Sequence, residues 1–253
     1  MPRRSSPDVL SMIKTFSVPR QHTPTKNRLL AALSRVDYER MRRHFYPVSL
    51  PLGRVVYEPN SVMGYVIFPT EGIVSLLYLT QNGSSTEIAV VGNEGMVGIS
   101  VFMGGSSTPS RAVVQSEGQG YRLNADVLMD EFERGGNLQH LLLRFTQALI
   151  TQMSQTAVCN RHHTVDQQLC RWLLLSLDRL QSNQLIMTQE LIANMLGVRR
   201  EAVTEAAGRL QAAQLIDYSR GRITVLNRPM LERWACECYA VVKKESDRLL
   251  FLR

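Results

Sequence analysis

From Asn27 onward, Leu29, Leu30, Leu33 and Val36 recur at helical spacing, and residues 38–45 continue as a second short helix. Between Val48 and Leu123 the period shifts towards two. Short runs rich in Val, Ile and Tyr, bounded by Gly, Pro, Asn and Ser, predict strands at 54–57, 65–68, 73–80, 86–91, 112–115 and 120–123. Asn82-Gly83 between two of these runs predicts a hairpin with φ above zero at both central turn positions. So many short strands suit a small sandwich or roll.

Helical spacing returns over 138–160. Leu143, Thr146, Ile150, Met153 and Ala157 form one apolar stripe, and Leu142, Phe145 and Leu149 an adjoining one. Two stripes give the helix one face for its own domain and one for a partner helix, so all eight residues are assigned to a dimer interface; burial of both faces inside one monomer is the alternative. The polar stretch Asn160-Arg161-His162-His163-Thr164 interrupts the pattern and marks a domain boundary, after which a helix resumes over 167–180.

Thr188 is placed to cap a helix over 189–196, and Gly197 to end it in the left-handed conformation. A second helix is predicted over 199–213. Two helices crossing at a tight turn need a small residue facing the second helix, a turn glycine and apolar residues in the angle. Ala193, Gly197, and then Ile192, Leu196, Val198 and Val203 supply these in one register, which predicts a helix-turn-helix. Arg199, Arg200, Glu201, Thr204 and Glu205 then lie on the half of the second helix that meets base edges. Arg pairs bidentately with guanine, and Glu accepts from the cytosine amino group. Runs at 215–218 and 223–226 flank Ser219-Arg220-Gly221-Arg222 and predict a two-stranded wing with Arg220 and Arg222 at its tip.

Charge sharpens this division. The net charge is +7, yet residues 48–130 carry three Lys and Arg against seven Asp and Glu, whereas residues 1–47 carry ten against three. Phosphates are therefore met by the ends and not by the middle. Four Pro residues among Ser, Thr and Arg make residues 1–27 a flexible basic lead. No uninterrupted apolar run suits an export signal or a membrane span, and four cysteines in 253 residues suit a reducing cytoplasm.

The stretch Gly92-Asn93-Glu94-Gly95-Met96-Val97-Gly98 is rich enough in glycine for backbone N–H groups to approach a phosphate. No HExxH, GxSxG or Walker lysine loop occurs, so the chain is not read as an enzyme. Cys159 and His163 share a helix face without an evident fourth ligand. Cys236-x-Cys238 is expected in a helix with its thiols pointing apart, so no metal is assigned.

Thr188-Gln189-Glu190, Gly197 and Arg200-Glu201-Ala202-Val203, preceded by Arg171-Trp172-Leu173-Leu174, a long helix and a β-rich segment, resemble the Crp/Fnr family of bacterial transcription regulators over residues 28–230. The resemblance implies an α+β fold: an N-terminal β-roll of double-stranded jelly-roll type over 28–137, a dimerisation helix over 138–161, a winged helix-turn-helix over 165–230 and a helical extension over 231–253. It implies a homodimer on palindromic double-stranded DNA, working with RNA polymerase. Arg200 and Glu201 match the family's base-reading pair, and Thr188, Gln189 and Arg199 complete the DNA-facing set. Glu205 stands where the family usually has a second Arg.

In the family's phosphate-binding cassette a Glu holds the ribose and an Arg-Ser pair the cyclic phosphate. Here Met96 replaces the Glu, and Ser110-Arg111 places the Arg one residue late. A thioether accepts poorly from hydroxyls, so Gly95, Met96, Val97, Gly98, Ser110 and Arg111 line a pocket for a nucleotide-like or other small effector, not ordinary cyclic AMP. A vestigial pocket is the alternative. The iron–sulfur branch of the family uses N-terminal cysteines, and residues 1–158 hold none. The competing function is an effector or adaptor acting through protein contacts without DNA.

Overall fold

The computed structural model describes residues 23–251. Residues 1–22 of the expected lead lie outside the described residues; the rest of it does not behave as a lead. Pro24–Lys26 forms a helical turn, and Asn27 is buried, its side-chain amide donating to the carbonyls of Pro69 and Gly95 at 2.8 Å each. Asn27 also caps α1 (Arg28–Ala31), accepting from the Leu30 N–H. A buried amide with its hydrogen bonds met is an anchor, so the packed fold begins before residue 28.

After α2 (Arg35–Arg42), seven strands build the β-roll: β1 (Tyr46–Leu50), β2 (Val55–Tyr57), β3 (Tyr65–Pro69), β4 (Ile73–Leu79), β5 (Ser85–Val91), β6 (Arg111–Ser116) and β7 (Gly118–Asn124). They pair antiparallel as two sheets, β1-β7-β3 and β2-β6-β4-β5. Leu50, Val66, Phe68, Val74, Val91, Val114 and Leu123 belong to its core. The β4–β5 turn differs from the expected one: among its residues only Gly83 has a positive φ, and the Asn82 carboxamide instead accepts from Ser84 N–H at 3.1 Å. Backbone bonds from Thr80 to Ser84 and from Gly83 to Thr80 close a three-residue loop, which needs one left-handed position, not two. Val36, placed on the apolar stripe by its spacing, is 66% exposed.

The spacing does not reveal α3 (Ala125–Glu133), which leads into α4 (Asn137–His162). The polar stretch after residue 159 does not break α4: Asn160, Arg161 and His162 are helical, and the break falls at His163, followed by Thr164, which opens α5 (Val165–Leu177) with a full capping box to Gln167. Leu138, Leu142, Phe145 and Leu149 seal α4 to the β-roll core. At Gly95 the helix comes so close that a Cβ would lie 2.0 Å from the Phe145 ring. Gly95→Ala is therefore expected to lower unfolding free energy by about 1–3 kcal/mol through overpacking, measured by urea denaturation, with Phe145→Leu restoring part of the loss.

The C-terminal domain contains β8 (Gln184–Ile186), α6 (Gln189–Leu196), α7 (Arg200–Ala212), β9 (Ile216–Ser219), β10 (Arg222–Val225) and α8 (Arg228–Trp234). Its sheet runs β8-β10-β9, so the wing has a third strand that the sequence pattern does not show. Helix α8 straddles residue 230, where the extension was expected to begin; it packs on α5. Then α9 (Glu237–Ser246) and a wider helical turn, Asp247–Phe251, fold back onto α4. Among the described residues no helix is long and apolar enough to cross a membrane.

Candidate nucleic-acid interface and effector cavity

Ile192, Ala193, Leu196 and Val203 are buried where α6 and α7 cross, and Gly197 takes φ 68° between them. Thr188 caps α6 by accepting from Leu191 N–H, and Thr204 of α7 donates to Gln189 Oε1 at 2.8 Å, tying the two helices. Arg199, Arg200, Glu201, Thr204 and Glu205 are all exposed. Thr188, Gln189, Arg200 and Arg220 come together with Tyr218 around one open concavity between the helices and the wing. At the wing tip Arg220 and Gly221 have φ 49° and 77°, and Ser219 pairs with Arg222, which makes a tight two-residue turn and sets Arg220 and Arg222 close together.

Glu205 lies 3.8 Å from Arg209, but Arg209 is held at 2.6 and 2.7 Å by both oxygens of Asp166, and the Glu205 side chain is 70% exposed. The i,i+4 pair is thus loose and leaves the Glu205 side chain exposed to solvent.

In the β-roll, a cavity of about 640 Å³ opens between the β2-β6-β4-β5 sheet, the loop 96–110 and α4. Met96, Gly98 and Ser110 line it, as do Tyr57, Tyr78, Met103, Leu149 and Met153. The other three expected pocket residues are elsewhere. Gly95 packs against Phe145; Val97 spends its N–H and carbonyl on Ile67. Arg111 starts β6 on the face opposite Ser110 and pairs with Glu58 at 2.9 Å, because successive side chains of a strand alternate. The Gly95 N–H is likewise occupied, by the Gly92 carbonyl. No lining residue is Lys, Arg or His among the described residues; the sole acid is Glu87.

Glu87 is buried on β5 opposite Leu77; a bulge between Glu87 and Ala89 turns it away from the β-roll core that Ala89 and Val91 enter and towards the C-terminal domain. It accepts from Trp172 Nε1 at 3.0 Å and lies 2.5 Å from Ser75 Oγ; burial pushes its carboxyl up to about 7, against the lowering effects of Ser75, Arg171 and Trp172. Its neighbour Thr86 also lines the cavity and abuts the helix-turn-helix: a Cβ at Gly197 would lie 2.9 Å from Thr86 Oγ1. A second bridge is the partly buried pair Glu94–Arg179 at 2.7 Å, with Arg179 also donating to Gln152 of α4 at 3.0 Å. The sequence does not single out Glu87 and Thr86, because the bulge before Ala89 breaks the alternation that would tell which face of β5 Glu87 takes.

The eight residues expected at a dimer interface divide. Leu142, Phe145, Thr146 and Leu149 are buried in the chain's own core, and Met153 packs against it. Their burial corrects the assignment of those five to a partner-facing stripe: the β-roll consumes that side of the helix. Leu143 (51% exposed), Ile150 (53%) and Ala157 remain outside, seven residues apart, with Gln147 and Ser154 between them also exposed. This alternating four-and-three row is the seam geometry of paired helices.

A sensor-type β-roll joined by one long helix to a winged helix-turn-helix defines a DNA-binding transcription regulator. Residues 47–134 match the family described as cyclic nucleotide-binding domain, and residues 167–234 the Crp-like helix-turn-helix domain. The chain belongs to the Crp/Fnr family of transcription regulators. Similar solved structures are a protein assigned to that family from Eubacterium rectale (17% identity, 83% of this chain and 98% of that one, TM-score 0.64), FixK2 from Bradyrhizobium japonicum (15%, 76% and 98%, 0.62), and the c-di-GMP-responsive global regulator CLP of Xanthomonas campestris (15%, 77% and 100%, 0.61). No match is found among curated proteins. The structural neighbours are regulators, not enzymes.

Proposed function

We propose that the chain acts in the cytoplasm as a homodimer on a palindromic operator, in concert with RNA polymerase, and that its β-roll takes a largely apolar, uncharged effector instead of cyclic AMP. The observation that carries this reading is the cavity itself. Its lining offers hydroxyls and apolar surface but no cation among the described residues, and a cyclic phosphate buried there would lack a charge partner. An apolar guest fits both the walls and the site's acidic surroundings. The guest would touch Leu149 and Met153 on α4, and Thr86 and Glu87, which abut Gly197 and Trp172. One occupant thereby acts on the helix seam and on the helix-turn-helix together, which is the differential contact that a ligand switch requires.

Calorimetric titration with cyclic AMP is expected to give no binding at micromolar concentrations, and a micromolar dissociation constant would remove the effector assignment. Selection of bound sites from a random DNA pool tests the readout. Arg200→Ala is expected to relax one base pair of each half-site, with a loss of about 1–3 kcal/mol of discrimination there. Glu205→Arg should move a different position towards guanine while the Glu201 position is unchanged. Identical selected sites for both variants and the parent would refute readout by α7.

A further inference from the structure

The C-terminal extension brings together two pairs of side chains that the sequence keeps more than seventy residues apart. Cys159 and His163 stand one turn apart at the end of α4. Cys236 is the extended N-cap residue of α9 and Cys238 lies in its first turn, so the two thiols converge, contrary to the divergence expected of residues inside a helix. All three cysteines are buried. Cys159 Sγ lies 3.5 Å from Cys236 Sγ and Cys238 Sγ 3.6 Å from His163 Nδ1, and the four ligand atoms all fall within 4.8 Å of one another.

We propose that Cys159, His163, Cys236 and Cys238 form a closed tetrahedral zinc site that staples α9 to the end of the long helix. Zinc–sulfur bonds of about 2.3 Å and zinc–nitrogen bonds of about 2.0–2.1 Å give tetrahedron edges of roughly 3.5–3.8 Å, which the two closest pairs already match. Three thiolates and one imidazole are a soft set that selects zinc over the hard divalent ions. Binding releases the three thiol protons to solvent and leaves a site of net charge −1.

Two independent features fit that charge and that geometry. His163 Nε2 lies 3.3 Å from the Glu237 carboxylate, so a neutral ring donating there turns Nδ1, its lone pair free, to the thiols. This is the carboxylate–histidine–metal arrangement that fixes a ligand's tautomer. Arg171, 4% exposed, acts electrostatically on Cys159 and Cys238; its Nε has no hydrogen-bond partner, and it makes no ion pair within 4.0 Å among the described residues. Glu87 also feels its charge, but burial pushes that carboxyl up to about 7. A buried guanidinium needs a lasting counter-charge, and an anionic zinc–thiolate centre supplies one.

The site also holds the joint between the domains. Gln168 of α5 donates to the carbonyls of both Cys159 (3.4 Å) and His163 (2.9 Å), so an ion on these residues fixes the angle at which α5, and with it the helix-turn-helix, leaves α4.

Untagged full-length chain, purified under reducing conditions without chelator, is expected to carry one zinc per chain by elemental mass spectrometry. Replacement with cobalt should give the thiolate charge-transfer and tetrahedral ligand-field bands of a sulfur-rich site. Cys238→Ser and His163→Ala should lose the metal. Cys170→Ala, at a buried cysteine outside the cluster, should keep it, and Glu237→Gln should weaken zinc binding by roughly 10- to 100-fold. If a cluster variant does not fold, the cobalt spectrum of the parent chain still decides. No zinc uptake by the reduced protein, a Cys159–Cys236 disulfide in freshly purified metal-free chain, or full zinc retention in both cluster variants would overturn the proposal.

Discussion

Ile150→Asp is expected to turn the proposed dimer into a monomer while each chain keeps its fold. Ile150 is 53% exposed and belongs to neither hydrophobic core, so the substitution removes little packing within the chain. In a two-fold helix pair, however, it places two carboxylates in an apolar seam with Leu143 and Ala157, where desolvation and like-charge repulsion both oppose association. Each half of a palindrome is then bound separately. The advantage of linkage, on the order of 100- to 10,000-fold, is lost. Light scattering should show halved mass, and mobility shifts should show weakening within that range at constant salt, with thermal melting of the variant still cooperative. A dimer of unchanged mass would show that the exposed row on α4 is not the seam.

The second large effect concerns Glu87 and pH. Ser75 has one hydroxyl proton and two acceptors at hand, Glu87 Oε2 at 2.5 Å and Gln115 Oε1 at 3.0 Å. A proton on Glu87 resolves the conflict, since Glu87 then donates to Ser75 and Ser75 to Gln115. The folded state holds this proton up to about 7, the unfolded chain only to 4.5. Stability from this raised carboxyl is fully present below the unfolded value and is lost as pH climbs through about 7, a change on the order of 3 kcal/mol. Glu87→Gln keeps an acceptor for Trp172 and a donor for Ser75 and cannot ionise. Relative to the parent it should gain stability between pH 4.5 and 7 and hold the advantage above. Because Glu87 joins the cavity to Trp172, the same variant should flatten any pH dependence of operator binding over that window. Parallel stability curves for the two proteins from pH 4.5 to 8 would show that Glu87 is ionised in the fold.

Much of the candidate site was legible along the chain because local rules govern it. The Thr188 cap, the left-handed Gly197, and the apolar residues at 192, 196 and 203 are satisfied within about fifteen residues, and α6 ends where the pattern places it. The hairpin of β4 and β5 was legible for the same reason. Its turn type was not, since the loop's own hydrogen bonds chose one left-handed residue over two. Helix α3 and strand β8 are not legible in the pattern because the first mixes charges into its stripe and the second spans only three residues.

The helix-turn-helix, the β-rich sensor and the long helix follow from periodicity and turn chemistry, which act between near neighbours. Which side of α4 faces its own core does not: two apolar stripes read alike until the β-roll covers one of them and part of the other, leaving Leu143, Ile150 and Ala157 outside. Folding likewise decided that Arg111 meets Glu58 and not the cavity, and that Glu87 bridges to Trp172 85 residues away. The convergence of Cys159 and His163 with Cys236 and Cys238 is of this kind too, for it exists only once α9 returns to α4 with Cys236 at its extended cap. Spacing along a chain specifies the face of an element, whereas the partner that covers that face is chosen by packing between elements remote in sequence.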